Sequence, residues 1–74
     1  MASPEEVRAE MVANVRAVSV SEGDSVRNGD ALVVLESMKM EVPVLAGAAG
    51  TVRTVAVRAG DVVQEGDLLA IVEG

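Results

Sequence analysis

The stretch that decides the fold is EGDSVRNGDAL, residues 22–32, because a similar stretch, AGDVVQEGDLL, occupies residues 59–69. Each copy contains two Gly-Asp pairs, such as Gly23-Asp24 in the first copy and Gly60-Asp61 in the second. Glycine adopts the positive φ that tight turns need, and aspartate can bond to neighbouring backbone, so each pair predicts a turn. The two copies are offset by 37 residues, which indicates an internal repeat.

The repeat extends over most of the chain. Aligning Val7–Glu36 with Val44–Glu73 gives 13 identities in 30 positions, including several valines spaced to face a core. Two units of about 30 residues are too small to fold as independent domains. We therefore expect them to share one core as a pseudo-twofold pair of sheets, in a compact all-β sandwich.

Alternating and continuous apolar runs mark the predicted strands. Residues 1–6 resemble a short lead, which we expect to be flexible. Within it Ser3–Glu6 fits a helix capping box, but Val7–Met11 then alternates small or apolar residues with charged ones, which favours a strand. Val15–Val20 is rich in β-branched residues, and the apolar run Ala31–Leu35 is typical of a strand covered on both faces.

The composition excludes several classes of function. The chain has no Cys and no His, which excludes disulfides, thiolate metal sites and Cys or His nucleophile–base pairs. A carboxylate-only metal site stays open, although the acids are scattered. A net charge of −6 and the absence of aromatic residues make nucleic acid a poor partner. No apolar run suits a signal peptide or a membrane span, so we expect a cytoplasmic protein without a membrane partner, monomeric in isolation.

One lysine lies at the junction of the two halves. The repeat halves span residues 7–36 and 44–73 of a single predicted domain, residues 7–74, and residues 37–43 connect them. Lys39 is the only lysine of the chain. Because the opposite end of the sandwich holds the two chain ends side by side, the amine lies at the one closed tip.

The connection predicts a β-hairpin with Lys39 at its tip. Leu32–Glu36 and Glu41–Leu45 form its two arms, and Pro43 suits an exposed edge because it cannot donate a ladder hydrogen bond. Two-residue hairpin turns prefer Gly or Asn, since both central positions need positive φ. Met38-Lys39 is a poor turn by this criterion, so such a turn implies local strain.

The hexapeptide Glu36-Ser37-Met38-Lys39-Met40-Glu41 resembles the attachment motif of biotinyl domains, which is commonly Ala- or Ser-Met-Lys-Met. The resemblance covers roughly residues 7–73, including the Glu-Gly-Asp turn before the lysine and Gly-Thr-Val at 50–52 after it. It implies a flattened barrel-sandwich of two four-stranded antiparallel sheets. No insertion between Gly23 and Leu35 could form a projecting thumb, so the chain resembles the minimal, stand-alone type.

The resemblance also implies a function. Lys39 would carry covalent biotin, attached by a biotin protein ligase, with Met38, Met40 and Glu41 as recognition residues of the motif. The biotin would carry carboxylate from a biotin carboxylase to a carboxyltransferase of a biotin-dependent carboxylase. The chain would then be a carrier with no catalytic residues, not an enzyme. Two alternatives stay open: a lipoyl carrier, whose motif is usually Asp-Lys-Ala, and an unmodified docking or adaptor module.

Overall fold

The computed structural model describes residues 4–74, which form eight β-strands. The described residues include no helix long and apolar enough to cross a membrane. In chain order the strands are β1 Glu5–Arg8, β2 Ala13–Val18, β3 Ser25–Val26, β4 Ala31–Ser37, β5 Met40–Leu45, β6 Gly50–Val55, β7 Val62–Val63 and β8 Leu68–Glu73.

The strands form two four-stranded antiparallel sheets, ordered β1-β8-β6-β3 and β5-β4-β2-β7. A shift of 37 residues relates one sheet to the other strand by strand, because β1, β2, β3 and β4 correspond to β5, β6, β7 and β8. The predicted all-β sandwich with internal pseudo-twofold symmetry is therefore confirmed.

The repeated Gly-Asp turns join the two halves. Gly23 has φ 96° and donates its N–H to the Val52 carbonyl at 2.7 Å, while Gly60, with φ 97°, donates to the Val15 carbonyl at 2.8 Å. The aspartate after each turn glycine also accepts a backbone N–H from three residues earlier, as Asp24 does at 2.8 Å. Each half thus uses its own turns to hold strands of the other half, which explains why the turns repeat in register.

The core between the sheets is entirely apolar within the described residues, and none of their polar or charged side chains is buried. Its largest fully buried side chains come from both halves: Leu32, Leu35, Leu69, Val15, Val33, Val52 and Val72. The sequence predicted that β4 is apolar because both of its faces are covered, but the structure shows a different reason. The pairing of β4 with β5 shifts register between Ala31 and Val33, and the neighbouring Leu32 and Val33 are both fully buried.

The first strand begins earlier than the sequence predicted. Glu5 and Glu6, placed by the sequence in the flexible lead 1–6, belong to β1 and pair with Val72 and Ile71 of β8. The Glu5 carboxylate also accepts the Gly47 N–H at 3.1 Å. The pairing of β1 with β8 is the twofold equivalent of the pairing of β5 with β4, so Glu5 and Glu6 are ordered by their hydrogen-bonded neighbour strand. The first part of the predicted lead, residues 1–3, lies outside the described residues.

Candidate functional site

The hairpin tip has the predicted two-residue turn. Strands β4 and β5 pair up to Ser37 opposite Met40, which leaves Met38 and Lys39 as the turn residues. Both have left-handed backbone conformations, with φ 52° at Met38 and φ 66° at Lys39. These are the only non-glycine residues with positive φ among those described. The predicted strain is therefore present at this turn and at no other turn of the described chain.

The strain indicates that the fold did not select the turn residues. A left-handed conformation costs a non-glycine residue on the order of 1–2 kcal/mol. Met38 is 93% exposed and Lys39 is also exposed, so burial of these two side chains does not offset that cost. The four Gly-Asp turns of the sandwich all place glycine at positive φ. A residue pair that costs stability at an exposed tip points to a role outside folding.

The Lys39 amine is free to react with another molecule. Within residues 4–74 no carboxylate forms an ion pair with it. The two nearest acids in the sequence, Glu36 and Glu41, are instead engaged by Arg16. The Arg16 guanidinium lies 3.6 Å from the Glu36 carboxylate and 2.5 Å from that of Glu41. Arg16 therefore holds the acids of the hairpin, and no ion pair among the described residues engages the lysine.

Arg16 is a residue of the site that the sequence reasoning missed. Glu36 and Glu41 lie directly opposite each other on β4 and β5, where two like charges repel. Arg16, on the neighbouring strand β2, offsets this repulsion by contacting both. In the other half Arg53 pairs with one carboxylate of the described residues, that of Glu73, at 3.5 Å. The repeat contained a signal, because Arg16/Arg53 and Glu36/Glu73 are both among its identities.

Met38, Met40 and Glu41, the predicted recognition residues, lie next to Lys39 along the hairpin and are exposed. Met40 is 66% exposed, Met38 is 93% exposed, and the Glu41 side chain is 55% exposed despite its ion pair. A groove of about 320 Å³ between the edge strands β1 and β5 is lined by residues such as Val44 and does not include the tip. The site is thus an exposed lysine at the tip of a paired hairpin.

The described residues offer little other chemistry at this tip. No group of three or more of their acidic, Cys or His side chains could hold a metal ion. The chain has no His and no second lysine that could take a proton from Lys39.

Comparisons with known proteins identify the family of this chain. The family described as "Biotin-requiring enzyme" matches residues 2–72. A relative from Mycobacterium leprae named "Biotinylated protein TB7.3 homolog" is 70% identical over 46 residues, which cover 62% of this chain and 65% of the relative.

Solved structures share the fold over nearly the whole chain. The urea carboxylase of Kluyveromyces lactis superposes with a TM-score of 0.90 and 30% identity, covering 99% of this chain and 6% of the carboxylase. A single-chain, multi-domain long-chain acyl-CoA carboxylase superposes with a TM-score of 0.86 and 37% identity, covering 92% of this chain and 7% of that protein. In both carboxylases, the matching segment is a small part of a much longer polypeptide.

Proposed function

The chain belongs to the family described as "Biotin-requiring enzyme", and from that premise we propose that it is a biotin carboxyl carrier in which Lys39 holds biotin through an amide. The observation that carries the proposal is the tip itself: a single lysine, in a strained turn, exposed and without an ion pair among the described residues.

The residues of the tip fit covalent attachment of the cofactor. Acylation needs an amine that an enzyme active site can surround, and Lys39 projects beyond the last paired residues, Ser37 and Met40. It also needs an amine that is not held by a carboxylate, and Arg16 engages the two nearest glutamates of the hairpin. The paired arms of β4 and β5 keep the turn at a fixed place on the sandwich.

The chain's part in the reaction is presentation. Lys39 must lose a proton before it can be acylated, and with no His and no second lysine the base has to come from a biotin protein ligase. Amide formation removes one positive charge from a formal net charge of −6. When bound, biotin supplies a ring nitrogen that carries a carboxyl group.

We propose two further partners, a biotin carboxylase and a carboxyltransferase. The exposed tip lets Lys39 enter one active site and then the other, and tethering raises the effective concentration of the carried group at each. The two structural neighbours are a urea carboxylase and an acyl-CoA carboxylase, which supports this class of partner. Such a cycle, together with its ligase, would operate in the cytoplasm.

The experiment that tests the proposal is loading of the purified chain by a biotin protein ligase with biotin and ATP. We expect the biotinyl increment in intact mass and reactivity with streptavidin, both lost in Lys39→Arg while the circular dichroism spectrum is retained. The control is Arg53→Lys, which places a new exposed amine on the twofold-related sheet and should not be labelled when Lys39 is also replaced. Labelling of Lys39→Arg would contradict the site, and a lipoyl increment on protein from its native host would favour the lipoyl alternative.

A further inference from the structure

The side chains next to Lys39 are two exposed thioethers. Met38 is 93% exposed and Met40 is 66% exposed, whereas Met11 is partly buried and packs against the core. The chain has four methionines and no Cys, His, Trp or Tyr. Thioethers are thus the most readily oxidised side chains of this protein, and among the described residues the two most exposed ones flank the attachment lysine.

Any enzyme that acts on Lys39 must cover both thioethers. Met38 precedes Lys39 in the turn and Met40 follows it as the first residue of β5. A lysine at such a tip reaches an active site only if its immediate neighbours enter the interface with it. The flexible, apolar thioether suits this role, because it can pack against a partner surface without leaving a polar group unpaired.

We propose that Met38 and Met40 form an oxidation-sensitive modification site, and that their conversion to sulfoxides suppresses loading of Lys39. This inference rests on the proposed carrier function. The oxidant is a peroxide: a sulfur lone pair attacks one peroxide oxygen, the O–O bond breaks, and an S–O bond forms. The sulfur loses two electrons, the peroxide is reduced, and with hydrogen peroxide the second oxygen leaves as water. A methionine sulfoxide reductase reverses the change.

Oxidation makes the two side chains beside Lys39 polar, so a ligase that covers them must remove water from polar groups. A sulfoxide is a polar group with a strong acceptor oxygen, and burying such a group without a hydrogen bond is unfavourable. We expect each sulfoxide to lower the specificity constant of ligation about tenfold. The sandwich itself should be unaffected, because neither thioether contributes to its buried core.

The test uses the unmodified chain and hydrogen peroxide, removed before the ligase is added. Peptide mass mapping should show oxidation of Met38 and Met40 at least about fivefold faster than that of Met11, in keeping with their exposure. Loading of the oxidised protein should fall by about tenfold or more, and methionine sulfoxide reductase, supplied as the two enzymes that each reduce one sulfoxide epimer, should restore it. Loading of Met38→Leu and of Met40→Leu is measured before and after peroxide treatment of the same variant, and peroxide should lower it less than it lowers loading of the unchanged sequence. Met11→Leu is the matched control, and peroxide should lower its loading as much as that of the unchanged sequence.

The outcomes separate this inference from the proposed function. Equal loading before and after oxidation, or a loss that the reductase does not reverse, overturns the inference and leaves the carrier function intact. Equal oxidation rates at Met11, Met38 and Met40 also overturn it. A failure of the unoxidised chain to load at all overturns the proposed function, and the loading effect falls with it.

Discussion

Replacing the tip Met38-Lys39 by Asn-Gly is expected to stabilise the domain while it removes the Lys39 amine. Both residues have positive φ, 52° and 66°, and a non-glycine residue in this conformation costs on the order of 1–2 kcal/mol. Asn tolerates the conformation and Gly removes its steric cost, so Asn-Gly is the preferred pair for such a turn. Both native side chains are exposed, and little packing is lost.

The expected gain is smaller than the full strain. Glycine also increases the conformational entropy of the unfolded chain, which lowers the stability gain by roughly 0.5–1 kcal/mol. The net stabilisation should therefore be about 1–2 kcal/mol. For a domain of this size each kcal/mol moves the thermal midpoint by about 4–8 °C. We expect the midpoint of the double variant to rise by roughly 5–15 °C.

Thermal unfolding followed by far-ultraviolet circular dichroism or calorimetry measures this gain, because the chain has no aromatic residue for fluorescence. Met40→Asn is the matched control, since it introduces the same residue at an exposed position outside the turn, the first residue of β5. It should not raise the midpoint, because Asn is unfavourable in strands. An unchanged or lower midpoint in the double variant, or an equal rise in the control, would refute the account of a strained tip.

Three further predictions test contacts within the sandwich, and the first of them uses the pseudo-twofold as an internal control. Arg16→Gln should lower the free energy of unfolding by about 1 kcal/mol and Arg53→Gln by about half as much, because Arg16 bridges two facing glutamates and Arg53 contacts one. Urea unfolding measures both losses, and the difference between them should shrink in high salt. Gly50→Ala should lower the free energy of unfolding by about 3 kcal/mol, because a Cβ there would overlap the last carbonyl of β8. The new Cβ of Gly60→Ala meets no atom, so this variant should lose about 1–2 kcal/mol for its positive φ alone. Equal losses in thermal unfolding would contradict this packing. Leu35→Ala, in the fully buried core, should cost about 2–5 kcal/mol by urea unfolding, and a cost below 1 kcal/mol would show that its site is not close-packed.

The repeat made most of the fold predictable from sequence. Identities at an offset of 37, such as Gly23/Gly60 and Val15/Val52, report turns and core positions that the two halves share. The single lysine outside the repeat then had to lie on the connection. The site's geometry was predictable to the same extent, because the hairpin around Lys39 follows from the position of the junction.

The remaining features depend on contacts between strands that a local pattern does not encode. The register shift in β4 buries Leu32 and Val33 together, which in the sequence resembles a strand covered on both faces. The start of β1 at Glu5 depends on its pairing with β8, which lies at the other end of the chain. The bridging position of Arg16 likewise required β2, β4 and β5 to be neighbours.

The central claim is that Lys39 carries biotin, and intact-mass spectrometry with peptide mapping on the chain purified from its native host tests it most directly. The account predicts the biotinyl increment, located on the peptide that contains Lys39 and absent from Lys39→Arg. A lipoyl increment, an increment on another residue, or an unmodified chain from cells that contain active ligase would contradict it.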